Sequence, residues 1–249
     1  MAEPVFRTLE SLAKITVAAA GTKITYQGLE NIAERGGVVA AINHTSYVDW
    51  LPAALAVHHR HRRMRFMIKE EMQRVMIIRY LIRHTGSIPV NRRAGAQSYA
   101  VAVERLRAGE LVGVYPEATI SRSFELKEFK SGAARMAREA NVPIVPIIVW
   151  GAQRIWTKDH PRNLGRSKIP VIVHVGAPLY ADDSVERTNA VLRESMTALL
   201  DQAQRQYPHP GGAYWVPRRM GGSAPTPAEA KVLDEAELAE RARKRAERA

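Results

Sequence analysis

The sequence predicts one α/β domain with a mostly parallel central sheet flanked by helices. Short β-rich apolar runs alternate along the chain with segments of helical periodicity, an order typical of parallel sheets with helical crossovers. Hydrophobic residues make up 46% of the 249 residues, enough for a substantial core. In such folds, binding and catalytic residues gather where strands end and loops begin.

Five strands and five helices are predicted in the central part of the chain. The predicted strands span 22–27, 37–42, 111–116, 142–150 and 170–176. The predicted helices span 49–57, 70–83, 96–108, 132–140 and approximately 184–206. Gly109 fits the stop of the third helix, because glycine readily adopts the left-handed conformation that ends helices.

The two ends of the chain differ from this central part. Residues 4–20 place five apolar side chains near one helical stripe, which fits either an interfacial membrane helix or a helix packed on the core. After Tyr207, a Pro/Gly-rich linker leads into a charged helical tail that we expect to be solvated. We therefore divide the chain into an N-terminal amphipathic helix with its lead-in (1–27), a central domain (28–207), and the linker with the tail (208–249).

Basic residues are concentrated between His58 and Arg93. This segment holds ten Lys and Arg residues and two acids, so it carries +8 of the net charge of +12. It is expected to attract polyanions, unless it is simply a solvated basic face. A nucleic-acid partner is not expected, because residues 58–65 contain no aromatic side chain for base stacking. A metal site on His58, His59 and His61 is not expected either, because no cysteine or nearby acid completes a ligand set.

The stretch "NHTSYVDW" (43–50) follows directly on a predicted strand. Ser46 and Asp49 have the spacing of a capping box at a helix start. His44 and Asp49 are also a candidate catalytic pair. On one helix their side chains would point about 140° apart, so they can meet only if His44 lies in the turn before the helix. Asp49 would then fix the imidazole tautomer whose other nitrogen accepts a proton.

A general base needs a group to activate, and the chain offers no usual covalent nucleophile. It has no cysteine, which also excludes disulfides and Cys-based zinc sites, and no G-x-S-x-G motif. The base is therefore expected to act on a hydroxyl of the substrate itself.

Three loops have the composition of anion sites. In "GSIPVNRR" (86–93) a strand ends, and Arg92 precedes a predicted helix whose free N–H groups favour phosphate. Lys130 immediately precedes another predicted helix start, where a cation opposes the helix dipole unless an anion lies between them. In the third loop, "YPEATISRS", the candidate residues are Glu117, Thr119, Ser121 and Arg122. The alternative for each residue alone is an ordinary surface side chain.

Four stretches in this order, "NHTSYVDW", "GSIPVNR", "YPEATIS" and "VPIVPI", resemble the motif blocks of the glycerophospholipid acyltransferases, the 1-acylglycerol-3-phosphate acyltransferase family. "MIKEEM" and "FKSGAARMA" resemble connecting segments of the same family. The resemblance covers roughly residues 28–149. It implies an α/β acyltransferase domain (28–207) with a membrane-docking N-terminal helix.

The resemblance also implies roles for single residues. His44 would take the proton from the acceptor hydroxyl, and Asp49 would orient and stabilise the imidazole. The hydroxyl oxygen would attack an acyl thioester directly, without an acyl-enzyme. Arg92 would bind the phosphate of the acceptor, and Glu117 would hold its glycerol or shape the site. Basic positions of the family that could contact phosphate are matched by Lys69 and Lys130.

The function implied is transfer of a fatty acyl group from acyl-CoA or acyl-carrier protein to lysophosphatidic acid, giving phosphatidic acid. The thioester is a co-substrate, and neither a cofactor nor a metal is implied. The expected partner surface is an anionic membrane, with the protein peripheral or monotopic on the cytoplasmic face of the cell membrane. No signal peptide is recognised at the N-terminus.

One block departs from the family pattern Phe-Pro-Glu-Gly-Thr-Arg-Ser. Ala118 stands in place of the glycine and Ile120 in place of the arginine. Arg122, two positions on, is a candidate substitute for that arginine, by inference and not by a match to the family pattern. Because of this departure, glycerol 3-phosphate, another lysophospholipid and a glycolipid stay open as acceptors for the same chemistry.

Overall fold

The computed structural model describes residues 4–74, 76–91 and 95–247. The strands are β1 (Ile24–Gln27), β2 (Val38–Ile42), β3 (Met64–Lys69), β4 (Ile88–Val90), β5 (Leu111–Val114), β6 (Ile144–Trp150) and β7 (Val171–Val175). The α-helices are α1 (Pro4–Ala19), α2 (Trp50–His59), α3 (Met76–Thr85), α4 (Gly95–Arg107), α5 (Gly132–Ala140), α6 (Val185–Arg205) and α7 (Pro227–Ala246).

The strands form one seven-stranded sheet in the order β1-β7-β6-β2-β5-β3-β4. Five strands, β6, β2, β5, β3 and β4, run parallel to one another. At one side β7 is antiparallel to β6 and parallel to β1. The prediction of a mostly parallel sheet is confirmed. Because these strands are parallel, the carboxyl ends of β2, β5, β3 and β4 meet at one edge of the sheet.

Helices cover both faces of the sheet. Along β2, Val39 and Ala41 belong to the apolar cluster that includes α4, α5 and α6. The alternate residues Val38, Ala40 and Ile42 belong to the cluster that includes α2 on the other face. All five residues of β2 are buried, as expected for a central strand covered on both sides.

Strand β3 was not predicted, and its basic residues explain why. The strand begins within the segment that looked like a charged surface, yet it lies between β5 and β4. Its Arg65 is buried, donates to the carbonyl of Thr85 at 2.6 Å, and pairs with Glu110 at 3.3 Å. A charged residue in a strand is thus accommodated by specific partners that are distant in sequence.

The helix predicted at 70–83 also differs from the structure. Residues Glu70–Arg74 form a 3₁₀ helix, and α3 begins at Met76. Among the described residues, no helix is long and apolar enough to cross a membrane.

The basic segment is partly an internal network. Arg60 pairs with Glu34 at 3.0 Å, and Arg63 pairs with Glu10 at 3.3 Å. Arg62 donates to two backbone carbonyls, those of Ala33 and Gly109. These arginines fix the loops around the start of β3, so a uniform solvated basic face is the wrong description of this segment.

Candidate active site

The candidate site lies in the loop that follows β2. Asn43, the first residue after the strand, is fully buried and continues the pairing with β6 through its side chain. Its amide donates to the carbonyl of Val149 at 3.0 Å and accepts from the N–H of Val149 at 2.7 Å. Sequence reasoning assigned Asn43 no role. The contact anchors the chain directly before His44.

His44 lies in the turn, with Asp49 beside it. The Nδ1 atom of His44 is 3.3 Å from the Oδ2 atom of Asp49. The imidazole stacks on Tyr115, with ring centroids 4.1 Å apart and an interplanar angle of 23°. Its side chain is 20% exposed. The ring is therefore held on one side by a carboxylate and on one face by an aromatic ring, and it keeps access to solvent.

The carboxylate of Asp49 is fixed by backbone donors. Its Oδ2 atom accepts the N–H of Thr45 at 2.8 Å and the N–H of Ser46 at 2.7 Å. The residue is fully buried. Burial raises the pKa of Asp49, while the hydrogen bonds from His44, Ser46 and Thr45 act in the opposite direction. A carboxylate held by two amides has one orientation, which sets the orientation of His44.

The capping box forms only in part. Asp49 accepts the N–H of Ser46, which is the contact expected of the acid in such a box. The hydroxyl of Ser46 instead accepts the N–H of Val48 at 3.0 Å and lies 2.7 Å from the carbonyl of Trp156. Helix α2 begins only at Trp50, so Asp49 precedes the helix instead of lying in its first turn.

Glu117 holds the backbone at His44. The residue follows β5 and is buried. Its Oε1 atom accepts the N–H of His44 at 2.8 Å, and its Oε2 atom accepts the N–H of Lys127 at 3.0 Å. The carbonyl of His44 accepts the N–H of Ser121 at 2.7 Å. Both peptide groups of His44 are thus bound to the loop after β5.

The carboxyl group of Glu117 has a raised pKa. Burial raises its pKa from 4.5 to about 7, although the hydrogen bonds from the N–H groups of His44 and Lys127 lower it. Burial likewise raises the pKa of Tyr115 well above its usual value, and the charge of Asp49 adds to that effect. Tyr115 is therefore a neutral stacking partner for His44.

The two residues that depart from the family pattern, Ala118 and Ile120, lie in different environments. Ala118 is exposed, with φ of 60°, in the left-handed region that glycine adopts at no cost. Ile120 is buried. An apolar side chain at position 120 suits that environment, whereas an arginine there would need charged partners.

Arg122 is bound by carboxylates of this chain. Its guanidinium contacts Asp159 at 2.6 Å, Glu237 at 2.9 Å, and Asp234. Asp234 and Glu237 lie on α7. The expectation of a solvated tail is therefore wrong for this stripe of α7, since long-range charge pairing attaches it to the loop after β5.

Two lysines share these acids. Lys127 contacts Asp234 and donates to the hydroxyl of Thr119 at 2.7 Å. Lys158 lies 2.9 Å from Glu237 and 3.4 Å from Asp234. The α7 ion-pair cluster consists of Arg122, Lys127, Lys158, Asp159, Asp234 and Glu237. Apart from Arg122, its members were not recognised as site residues, because their partners are far apart in the sequence.

The remaining predicted site residues lie at the same edge of the sheet or outside the described residues. Lys69 is the last residue of β3 and is exposed. Lys130 is exposed, and its N–H donates to the carbonyl of Pro116 at 2.9 Å. The position of Arg92, two residues after β4, lies outside the described residues. No group of three or more His, Cys, Asp or Glu side chains that could hold a metal occurs in the described part of the chain.

Known proteins are similar to this chain in sequence. The chain is 27% identical to a 1-acyl-sn-glycerol-3-phosphate acyltransferase from Borreliella burgdorferi, over 68% of this chain and 67% of that protein. It is 26% identical to one from Bacillus subtilis, over 70% and 82%. With the chloroplastic enzyme BAT2 of Brassica napus it shares 28% identity and spans 51% of that protein.

A solved structure has the same fold. It is the 1-acyl-sn-glycerophosphate (LPA) acyltransferase from Thermotoga maritima, with a TM-score of 0.67, 20% identity and 82% of each chain covered. The family model described as Acyltransferase matches residues 23–150, just over half of the sequence. This range includes His44, Asp49 and Glu117, and the chain belongs to the Acyltransferase family of enzymes.

Proposed function

We propose that the chain transfers a fatty acyl group from an acyl thioester to the free hydroxyl of lysophosphatidic acid, giving phosphatidic acid. The single observation that carries this proposal is the His44–Asp49 pair, with a solvent-accessible imidazole whose Nδ1 faces a fixed carboxylate. The names of the relatives, which are acyltransferases acting on 1-acyl-sn-glycerol 3-phosphate, support the choice of acceptor.

In the proposed mechanism, Nε2 of His44 accepts the proton of the acceptor hydroxyl. The oxygen attacks the thioester carbonyl, the C–O bond forms, and the C–S bond breaks. The thiolate leaves and takes up a proton, and His44 is restored. Asp49 stabilises the imidazolium and fixes its tautomer. Such a base works on a substrate hydroxyl without any protein nucleophile.

Glu117 is proposed to shape the site. Its two oxygens hold the N–H groups of His44 and Lys127, so it sets the distance between the loop after β2 and the loop after β5. Arg92, Lys69 and Lys130 are proposed to contact phosphate, with Thr119 nearby on the loop after β5. The donor is acyl-CoA or acyl-carrier protein, and no cofactor is required by this chemistry.

An acyl-transfer assay with the purified protein tests this function. Detergent-solubilised lysophosphatidic acid, glycerol 3-phosphate, a lysophospholipid without a terminal phosphate and a glycolipid compete for one labelled acyl-CoA. We expect preferential acylation of lysophosphatidic acid, and loss of this activity in His44→Ala. Strong preference for a phosphate-free acceptor would overturn the acceptor assignment, and full activity of the variant would overturn the mechanism.

We also propose that the protein acts at an anionic membrane surface, on the cytoplasmic face of the cell membrane. Helix α1 exposes Leu12 and Ile15, and the neighbouring α3 exposes Met76 and Tyr80. Exposed apolar side chains on adjacent helices, beside the basic segment, suit an interfacial helix. Vesicle flotation tests this: we expect binding to anionic vesicles, and weaker binding of Leu12→Asp/Ile15→Asp. Equal binding of both proteins contradicts the proposal.

A further inference from the structure

Helix α7 is attached to the domain by charge and not by apolar burial. Among its described side chains Ala230 is buried, whereas Val232, Leu233 and Leu238 are 66%, 45% and 59% exposed. The stripe that faces the domain contains Asp234 and Glu237. A surface helix normally turns its apolar stripe to the core. In α7 the arrangement is reversed, because a charged stripe faces the domain and apolar side chains face the solvent. Attachment through ion pairs is weakened by salt and by competing anions.

The groups that α7 contacts form a concentrated cationic site. The side chain of Arg122 is 8% exposed and that of Lys158 is 10% exposed, and Lys127 lies beside them. Without the two acids of α7, these three cations would share one carboxylate of the cluster, that of Asp159. Partly buried cations at one place repel one another unless an anion compensates them.

Two carboxylates and one phosphate monoester are close substitutes at such a site. A phosphate monoester carries a charge of about −1.5 to −2 at neutral pH. A guanidinium binds a carboxylate or a phosphate with the same pair of N–H donors, and lysines add point charges. The chemistry that Asp234 and Glu237 satisfy in the cluster is therefore the chemistry that would recognise phosphate.

The cluster borders the catalytic pair. The ammonium group of Lys127 donates to the hydroxyl of Thr119 at 2.7 Å. Its backbone N–H donates to the carboxylate of Glu117 at 3.0 Å. The same carboxylate of Glu117 holds the N–H of His44. The negative charge of Glu237 also affects Tyr47 in the loop after β2. Burial is the larger cause that raises the pKa of the Tyr47 phenol, and the charge of Glu237 raises it further. An anion at the cluster would therefore lie against the loop that Glu117 joins to the backbone of His44.

We propose that Arg122, Lys127 and Lys158 form a phosphate-binding subsite beside His44, and that α7 closes this subsite by occupying it with Asp234 and Glu237. A phosphate-bearing ligand then competes with α7, and its binding releases the helix. The identification of the ligand rests on the proposed function, since the acceptor and coenzyme A both carry phosphate.

Binding of glycerol 3-phosphate and of coenzyme A to the full chain, measured by calorimetry at fixed ionic strength, tests this proposal. Asp234→Asn/Glu237→Gln is expected to bind one of the two ligands about tenfold more tightly, because the competing helix is removed. The ligand that gains affinity identifies the source of the phosphate. Adding Lys158→Gln is expected to abolish the gain.

The matched control is Glu235→Gln/Glu240→Gln. It also removes two negative charges from α7, but neither residue has a described contact with the cluster, and Glu240 pairs instead with Lys244. The control is expected to bind like the wild type. Equal affinities of the two double variants, whether both raised or both unchanged, overturn the proposal. A lower melting temperature of Asp234→Asn/Glu237→Gln without tighter binding also overturns it, because the ion pairs would then be purely structural.

A second measurement uses only the wild type, so it is independent of whether the variants fold. Hydrogen exchange of the amides of 227–246 is followed with saturating glycerol 3-phosphate or coenzyme A, and with glycerol as the neutral control. We expect exchange at least about threefold faster with one phosphate ligand, as for a helix released from its contacts. Unchanged exchange with both ligands contradicts the proposal.

Acyl transfer, measured on the same preparations, separates this proposal from the proposed function. Tighter phosphate binding by Asp234→Asn/Glu237→Gln without acyl transfer in any preparation supports the subsite and overturns the function. Acyl transfer without a difference in binding supports the function and overturns the subsite.

Discussion

The carboxylate of Glu117 accepts the backbone N–H of His44 at 2.8 Å, which couples the loop after β5 to the loop after β2. The two strands are neighbours in the sheet and parallel, so the loops meet although 73 residues separate them. The side chain of His44 is positioned by Asp49, while its backbone is positioned by Glu117. His44 is therefore held by two acids with different tasks.

Removal of either member of the pair is expected to abolish most of the activity. His44→Ala removes the base, and we expect kcat to fall by about 10²–10⁴-fold. Asp49→Asn keeps an oxygen that can accept the N–H groups of Thr45 and Ser46 but loses the charge that stabilises the imidazolium, and we expect a loss of about 10²-fold or more. Steady-state kinetics and melting temperature are measured together. If Asp49→Asn lowers the melting temperature but leaves kcat unchanged, the role of Asp49 is purely structural.

Glu117→Gln tests the raised pKa of this carboxyl group. Between pH 4.5 and about 7 the folded protein keeps a proton on Glu117 that the unfolded chain has lost. The free energy of unfolding must then fall as the pH rises through this window. Gln does not titrate, so the wild type should lose up to about 3 kcal/mol relative to the variant across the window. Urea unfolding at several pH values measures the difference.

The exposed Glu235 supplies the control for this titration. Glu235→Gln makes the same exchange on the exposed surface of α7 and measures the effect of the Glu-to-Gln substitution outside the site. A constant difference between wild type and Glu117→Gln over the window would show that Glu117 is ionised throughout.

The local geometry of the site was predictable, because it depends on short sequence separations. His44 and Asp49 lie within one strand–turn–helix segment, so the end of β2 and the start of α2 bring them together. The parallel order of β2 and β5 then places "YPEATISRS" beside them. The hydrophobic periodicity that predicts these elements is a strong signal in a single sequence.

The long-range charge pairing was not predictable. Arg122 is 112 residues from Asp234 and 115 from Glu237 in the sequence, and nothing in the local pattern selects these partners. Strand β3 was missed for a related reason, because Arg65 is compensated by Glu110, which is also distant in sequence. Where charged groups are buried, partners supplied by the tertiary structure override the polar pattern.

Ala118→Gly is expected to stabilise the protein. Ala118 has φ of 60°, a conformation that costs an L-residue about 1–2 kcal/mol, whereas glycine adopts it freely. The larger conformational entropy of glycine in the unfolded chain offsets part of this stabilisation. We therefore expect a net increase of about 0.5–1 kcal/mol in the free energy of unfolding. Urea unfolding of Ala100→Gly, an exposed position within α4, is the comparison, and there we expect a loss of about 1 kcal/mol. Equal losses at both positions would contradict strain at Ala118.

Asn43→Ala is expected to destabilise the protein and misplace His44. The substitution leaves the N–H and the carbonyl of Val149 without their side-chain partners in a fully buried place. Each unsatisfied group costs about 1–3 kcal/mol, so we expect a loss of about 2–4 kcal/mol in the free energy of unfolding. Because His44 follows Asn43 directly, kcat should fall as well, without a change in which group acts as base.

Asn31→Ala is the matched control for Asn43→Ala. Asn31 also donates its amide to a backbone carbonyl, that of Val175 at 3.0 Å, but it is not adjacent to the site. Its replacement should lower stability by about 1 kcal/mol and leave kcat unchanged. Urea unfolding and kinetics of the two variants separate loss of a buried hydrogen bond from loss of positioning. If Asn43→Ala loses stability but keeps the kcat of the wild type, the link from β6 to His44 does not set the position of the base.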